Sequence, residues 1–147
     1  MKKIIVYIVL ILVVLVGGFY LFNKDTQKEP ELAQITYMNT SSDDIVPELP
    51  VPSAIVGKQF TVSGKARGYW FFEASFPIQV LDKDGKILVS SFATAEDEWM
   101  TTEFVNFSAD VSIPENYIGL ATLVLNKDNP SDMRDKDASI SFPITIE

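Results

Sequence analysis

Residues Ile4 to Phe22, IIVYIVLILVVLVGGFYLF, form an uninterrupted uncharged run. A helix needs about 20 apolar residues to cross the hydrocarbon core of a bilayer, and this run is about that long. Lys2 and Lys3 precede it. By the positive-inside bias the N-terminus stays cytoplasmic and everything after Asn23 faces outward. The run exceeds the roughly 7–15 apolar residues of a signal peptide and ends in Phe19-Tyr20-Leu21-Phe22, with no small-x-small cleavage site. Without cysteine no lipoprotein attachment is possible. A retained transmembrane anchor is therefore expected over 1–23, with membrane lipid as the partner of residues 4–22. Gly17-Gly18 lacks the Gly-x-x-x-Gly spacing of a helix-pairing motif, and Tyr20 and Phe22 suit the interfacial aromatic belt.

The remainder is long enough for one domain with one core. All 20 acidic residues but only nine basic ones lie beyond Lys24, a net charge of −11 for residues 25–147. Such a surface repels phosphate backbones, so nucleic acid is excluded as a partner. Basic protein surfaces and divalent cations are the compatible classes. Histidine and cysteine are both absent. That removes disulfides, thiol nucleophiles, Ser-His-Asp triads and His-ligated transition metals. No enzyme activity and no cofactor is expected.

Residues 24–53 read as a linker. Asn23 to Gln34 is polar and without apolar periodicity, and Pro47, Pro50 and Pro52 fit an extended edge or loop better than a central strand. From Lys58 the pattern becomes β. Phe60, Val62 and Ala66 share one face. Trp70, Phe72, Ala74, Phe76, Ile78 and Val80 repeat at period two. Asp82-Lys83-Asp84-Gly85 then marks a hairpin turn before Ile87 to Phe92. Val105 to Ile113 alternates. Tyr117 to Leu125 is almost wholly apolar, as for a strand covered on both faces. Ile140, Phe142, Ile144 and Ile146 alternate with Ser139, Ser141 and Thr145, and Pro143 among the outward positions suggests an edge. About seven short strands and no soluble helix imply an all-β fold, an immunoglobulin-like antiparallel β-sandwich over 54–147.

Candidate sites follow from this pattern. Tyr69, Phe71 and Glu73 alternate with the inward face and are expected to point outward as a recognition surface. Arg67 is placed to pair with Glu73. Asp82-Lys83-Asp84-Gly85 opens like a calcium loop but lacks glycine at the sixth position and glutamate at the twelfth, so it reads as a turn. Asn126 to Asp137 gathers four aspartates, of which Asp128 and Asp132 are the candidate calcium ligands. Glu96-Asp97-Glu98 is a poor match to the two separated carboxyls of a glycosidase.

Several stretches, in order, resemble a known family. They are Val62-Ser63-Gly64-Lys65-Ala66-Arg67-Gly68 running into Phe71-Phe72-Glu73, and Phe76-x-Ile78-x-Val80-x-Asp82-x-Asp84-Gly85. Trp99-Met100, Phe107-Ser108-Ala109 and Asn126-x-Asp128-Asn129-Pro130-Ser131 follow. From about Ile55 to Ile146 the chain is similar to the immunoglobulin-like domain of bacterial spore germination. The resemblance implies an extracytoplasmic bacterial β-sandwich with no catalytic residues. The expected role is a binding or scaffolding module of the cell envelope, with an envelope protein or a cell-wall component as partner. The alternatives are a structural subunit or spacer of a membrane complex and, behind it, a wall-glycan hydrolase.

Overall fold

The computed structural model describes residues 34–147. The anchor expected over 1–23 and the first part of the linker lie outside the described residues. Among the described residues no helix is long and apolar enough to cross a membrane.

Period-two alternation builds nine strands: β1 Thr36–Met38, β2 Ile45–Leu49, β3 Ile55–Val56, β4 Gln59–Arg67, β5 Ser75–Asp82, β6 Ile87–Ala95, β7 Phe104–Ser112, β8 Gly119–Asn126 and β9 Ser139–Ile146. Seven of these have five residues or more; six lie where the turn-separated alternation places strands, the seventh, β2, lies in the stretch read as linker, and β1 and β3 are short flanking pieces. Their order is β1-β9-β8-β5-β6-β7-β4-β2, antiparallel throughout, with β3 added parallel to β9. One leaf, β9-β8-β5-β6, meets the other, β7-β4-β2, where Thr94 pairs with Ser108 and Ala95 with Phe107. The neighbours β2-β4-β7 and β9-β8-β5 reproduce the A-B-E and G-F-C groupings of an immunoglobulin sandwich.

The inward side chains of both leaves make a single apolar core. Val62 and Ala66 on β4, Phe107 on β7, Phe76 and Ile78 on β5, Leu123 on β8 and Phe142 on β9 are all buried in it. The Phe76 and Phe107 rings meet edge to face, centroids 4.9 Å apart, and Trp70 packs edge-on to Phe76 at 5.8 Å. Such aromatic pairs stabilise beyond their buried area. No polar or charged side chain is buried among the described residues, so this core needs no compensating hydrogen bonds.

Four expectations need correction. The sheet begins at Thr36, and Ile45 is fully buried, so residues 36–53 belong largely to the domain rather than to a linker. The prolines place β2 at the end of the sheet, as their missing donors require, without excluding it. The period-two run does not extend from Trp70 through Val80. Gly68–Trp70 is a 3-10 turn, Glu73 and Ala74 have positive φ of 50° and 63°, and the strand starts only at Ser75. That irregularity buries Phe71 at 5% exposure and turns Phe72 outward, the reverse of the alternation. Finally, β8 is fully covered on one face only, since on the other Leu120 is exposed and Thr122 and Val124 are half-buried.

Pro143 is a more local edge than its sequence context implies. β1 pairs with β9 through Ser139–Ser141 and β3 through Thr145–Ile146. Pro143 falls in the gap between them, where its carbonyl accepts a bond from the Ser53 N–H at 2.7 Å. The missing donor thus costs the ladder nothing.

The expected hairpin between β5 and β6 forms. Asp82 Oδ1 accepts bonds from the backbone N–H of Asp84 (2.8 Å) and Lys86 (2.9 Å), and Gly85 adopts φ +80°. Those backbone bonds hold the Asp82 carboxyl below its ordinary pKa.

Candidate loop-end binding surface

Four connections meet at one end of the sandwich. They are residues 39–44 before β2, 68–74 between β4 and β5, 96–103 between β6 and β7, and 127–138 between β8 and β9. The strand register requires this, since Ile45 faces Ala66, Arg67 faces Phe104 and Asn126 faces Ser139. Two of the loops, 68–74 and 127–138, occupy the positions that carry the antigen-binding B–C and F–G loops in antibody variable domains. These four loops contain eleven acidic and three basic residues; the rest of the described chain contains six and five. Nearly all the net charge of the domain is therefore concentrated at this end.

Tyr69 is the fixed point of the surface. It is 50% exposed, yet its hydroxyl donates to Asp44 Oδ1. Asp44 Oδ2 accepts from Thr40 Oγ1 at 2.9 Å and from the Ser41 N–H at 3.2 Å. The bond from Tyr69 is the largest cause of the lowered Asp44 pKa, and the same bond raises that of Tyr69. The Lys127 ammonium lies 5.7 Å from the ring centroid. Tyr69, Lys127, Lys136 and Asp135 help to wall a cleft of about 280 Å³ whose floor includes Trp70.

Among the residues singled out by sequence, Tyr69 and Glu73 are exposed, whereas Phe71 is in the core, 5.2 Å from Phe76 ring to ring. Arg67 does not pair with Glu73. Its guanidinium lies 3.8 Å from Glu103, stacks 4.1 Å over Phe104 and donates through Nε to the Asp43 carbonyl at 2.9 Å. Asp128 comes next to this surface, its N–H donating to the Trp70 carbonyl at 3.1 Å. Burial and the neighbouring Glu73 charge raise its pKa. Asp137 accepts from Asn129 Nδ2 at 2.8 Å and lies 3.9 Å from Arg134, while Asp132 sits at a turn with φ 52°. Among the described residues no three carboxylates gather closely enough to hold a metal ion, so Asp128 and Asp132 do not form part of such a cluster. Glu96, Asp97 and Glu98 are all exposed, and Glu98 accepts the Met100 N–H at 3.1 Å.

Asp44 and Lys127, both central to this surface, were not legible as site residues. Asp44 lies in the stretch read as linker. Only the knowledge that residues 39–44 close over Tyr69 singles it out.

Neither a curated protein nor a solved structure matches the chain. Residues 45–134 match the family described as the immunoglobulin-like domain of bacterial spore germination. The match runs from β2 into the 127–138 loop; it takes in β2 to β8 and leaves out β1, β9 and residues 39–44. With more than half its length matched, the chain belongs to the immunoglobulin-like domain family of bacterial spore germination.

Proposed function

We propose that this protein is a membrane-anchored, extracytoplasmic binding module of the bacterial cell envelope. It works through surface complementarity at its loop end rather than through catalysis. Family membership supports the envelope setting, and the uncharged run Ile4–Phe22 supports the anchor. The observation that carries the reading is the surface around Tyr69, an exposed ring pinned by Asp44 within loops holding eleven acidic and three basic residues. A pre-ordered aromatic loses little entropy on contact, which is why such residues anchor interfaces. The surrounding charge selects a basic partner surface and speeds its approach. It repels anionic wall polymers, so an envelope protein with a basic face fits better than a wall component.

In-cell crosslinking of the full-length chain in its native host, followed by mass spectrometry, tests this. The reading expects a dominant envelope-protein adduct on the 39–44, 68–74 or 127–138 loops. Adducts confined to wall fragments would instead support a wall-binding role.

A further inference from the structure

The loop end of the sandwich is acidic; the opposite end is aliphatic. β1, β3, β5, β6, β8 and β9 together contain one charged residue, Asp82, and its carboxylate is taken up by the backbone of the β5–β6 turn. The other three strands contain Glu48, Lys65, Arg67 and Asp110. Away from the acidic loops, the uncharged leaf ends in four large aliphatic side chains: Ile55 is 64% exposed, Ile87 51%, Ile118 73% and Leu120 65%. The register makes them one patch. Ile55 pairs with Thr145 and Thr145 with Leu120, so three neighbouring strands present these side chains on the same outer face. Two residues further along that face, Thr122 pairs with Leu81, and Leu81 with Ile87. Ile118 immediately precedes β8 at the same end. With strands about 4.8 Å apart, the patch extends about 20 Å across the sheet.

A clustered aliphatic surface of this kind marks contact with another apolar phase. Two observations single out lipid. The first is the direction of the chain. Thr36 pairs with Ser141 and Met38 with Ser139, the first residue after the 127–138 loop, so β1 runs toward the loop end. The residues before Thr36 therefore enter from the side of the aliphatic end. Only twelve residues, 23–34, separate the uncharged run ending at Phe22 from Ile35, and they span at most about 40 Å. A strand of nine residues such as β4 is itself about 30 Å long, so a domain held by that run stays within reach of the bilayer at high local concentration. The second observation is charge. Residues 57–58, 83–86, 113–118 and Glu147, at the aliphatic end, hold three basic and three acidic residues, against three and eleven at the loop end. Anionic headgroups repel the loop end and leave the neutral, aliphatic end free to approach.

We infer that this end of the domain rests on a lipid surface, with Ile55, Ile87, Ile118 and Leu120 at the boundary between headgroups and acyl chains. Lys86, exposed and next to Ile87, reaches headgroup phosphates from the same edge while its aliphatic stem stays with the patch. The inference rests on the membrane-anchored reading proposed above and deepens it. The anchor supplies attachment, and the patch supplies orientation. With the aliphatic end on the lipid, Tyr69 and the acidic loops are held at the opposite end, clear of the headgroups and open to a partner.

The chain has no cysteine, so a single introduced thiol can carry an environment-sensitive fluorophore. The test uses the full-length chain in vesicles of phosphatidylethanolamine and phosphatidylglycerol, with and without a phosphatidylcholine bearing a nitroxide just below its headgroup. The fluorophore is placed at Asn116→Cys, exposed beside the patch, or at Asp97→Cys, exposed on the loop end. Carbonate-resistant flotation with the vesicles reports the anchor separately. We expect emission from position 116 to shift to the blue and to be quenched several-fold more strongly than emission from position 97. Adding Ile118→Ser and Leu120→Ser should bring position 116 down to the level of position 97 while the chain still floats. Equal quenching at the two positions in a chain that floats overturns the inference and leaves the anchor standing. Quenching at position 116 that survives the double substitution also overturns it. A blue shift at position 116 without nitroxide quenching means that protein, such as a second copy, covers the patch, and overturns it as well. A chain that does not float overturns the anchored reading and this inference with it.

Discussion

Asp44 and Asp128 sit at the same end of the domain and are shifted in opposite directions, which makes their contributions to stability separable. Asp44 has a lowered pKa because Tyr69, Thr40 and Ser41 bond its charged form. Its stabilising contribution is therefore present above the unfolded carboxylate pKa and is lost as pH falls through the lower, folded value. Asp128 has a raised pKa, so its charged form is disfavoured in the folded state and weakens it as pH rises. Asp44→Asn should lower the melting temperature at neutral pH and reduce its fall on acidification. Asp128→Asn should raise the melting temperature at neutral pH and leave it unchanged well below the unfolded pKa. Thermal melts of the two variants between neutral and acidic pH check both signs. Phe71 supplies a third residue-level test. As a core residue packed on Phe76, its replacement by alanine should cost about 3–5 kcal/mol, read by denaturant unfolding. An outward-pointing Phe71 would give almost no loss. Gly68 is required for close approach. A Cβ there would meet the Thr101 carbonyl oxygen at 1.9 Å and that of Trp99 at 2.4 Å, so Gly68→Ala must displace the 96–103 loop. We expect a loss of about 1–3 kcal/mol or more.

At the scale of elements, what was legible in the sequence tracked how regular the backbone is. β4, β7 and β9 alternate without interruption, and their inward residues were readable in advance. The β5–β6 hairpin was readable because Asp82 and Gly85 satisfy the turn by local bonds. The segment before β5 was not. A 3-10 turn followed by two positive-φ residues shifts the side-chain phase, and neither Glu73 nor Ala74 advertises that conformation as glycine would. β1 and β2 were hidden for another reason. Their role comes from long-range pairing to β9 and β4, which overrides the local signal of three nearby prolines. The loop-end surface was half legible: Tyr69 and Glu73 could be named, whereas Asp44 and Lys127 join them only through tertiary closure. Ser90→Pro is the prediction proper to this scale. β6 has no strand partner on its β7 side before Thr94, and the Ser90 N–H points to that side, so the melting temperature should stay within a degree or two of the parent. A large fall would show that this donor is already used within the single domain.

At the scale of the whole domain, the charge of the described residues is distributed along one axis. The strands and the far end hold six acidic and five basic residues, close to neutral, while the loop end is strongly acidic. The far end is tied down instead by Tyr117, whose hydroxyl donates to the Leu120 carbonyl and accepts the Lys83 N–H at 3.3 Å. A neutral body with one acidic, aromatic-bearing end is suited to oriented capture of a basic surface. The most direct test places a photo-crosslinking residue at position 69 of the full-length chain and, as comparison, at Thr61, near the opposite end of β4. Binding through the loop end predicts a discrete protein adduct from position 69, none from position 61, and loss of the adduct as salt is raised. An adduct of equal strength from both positions, or none from position 69, would contradict it.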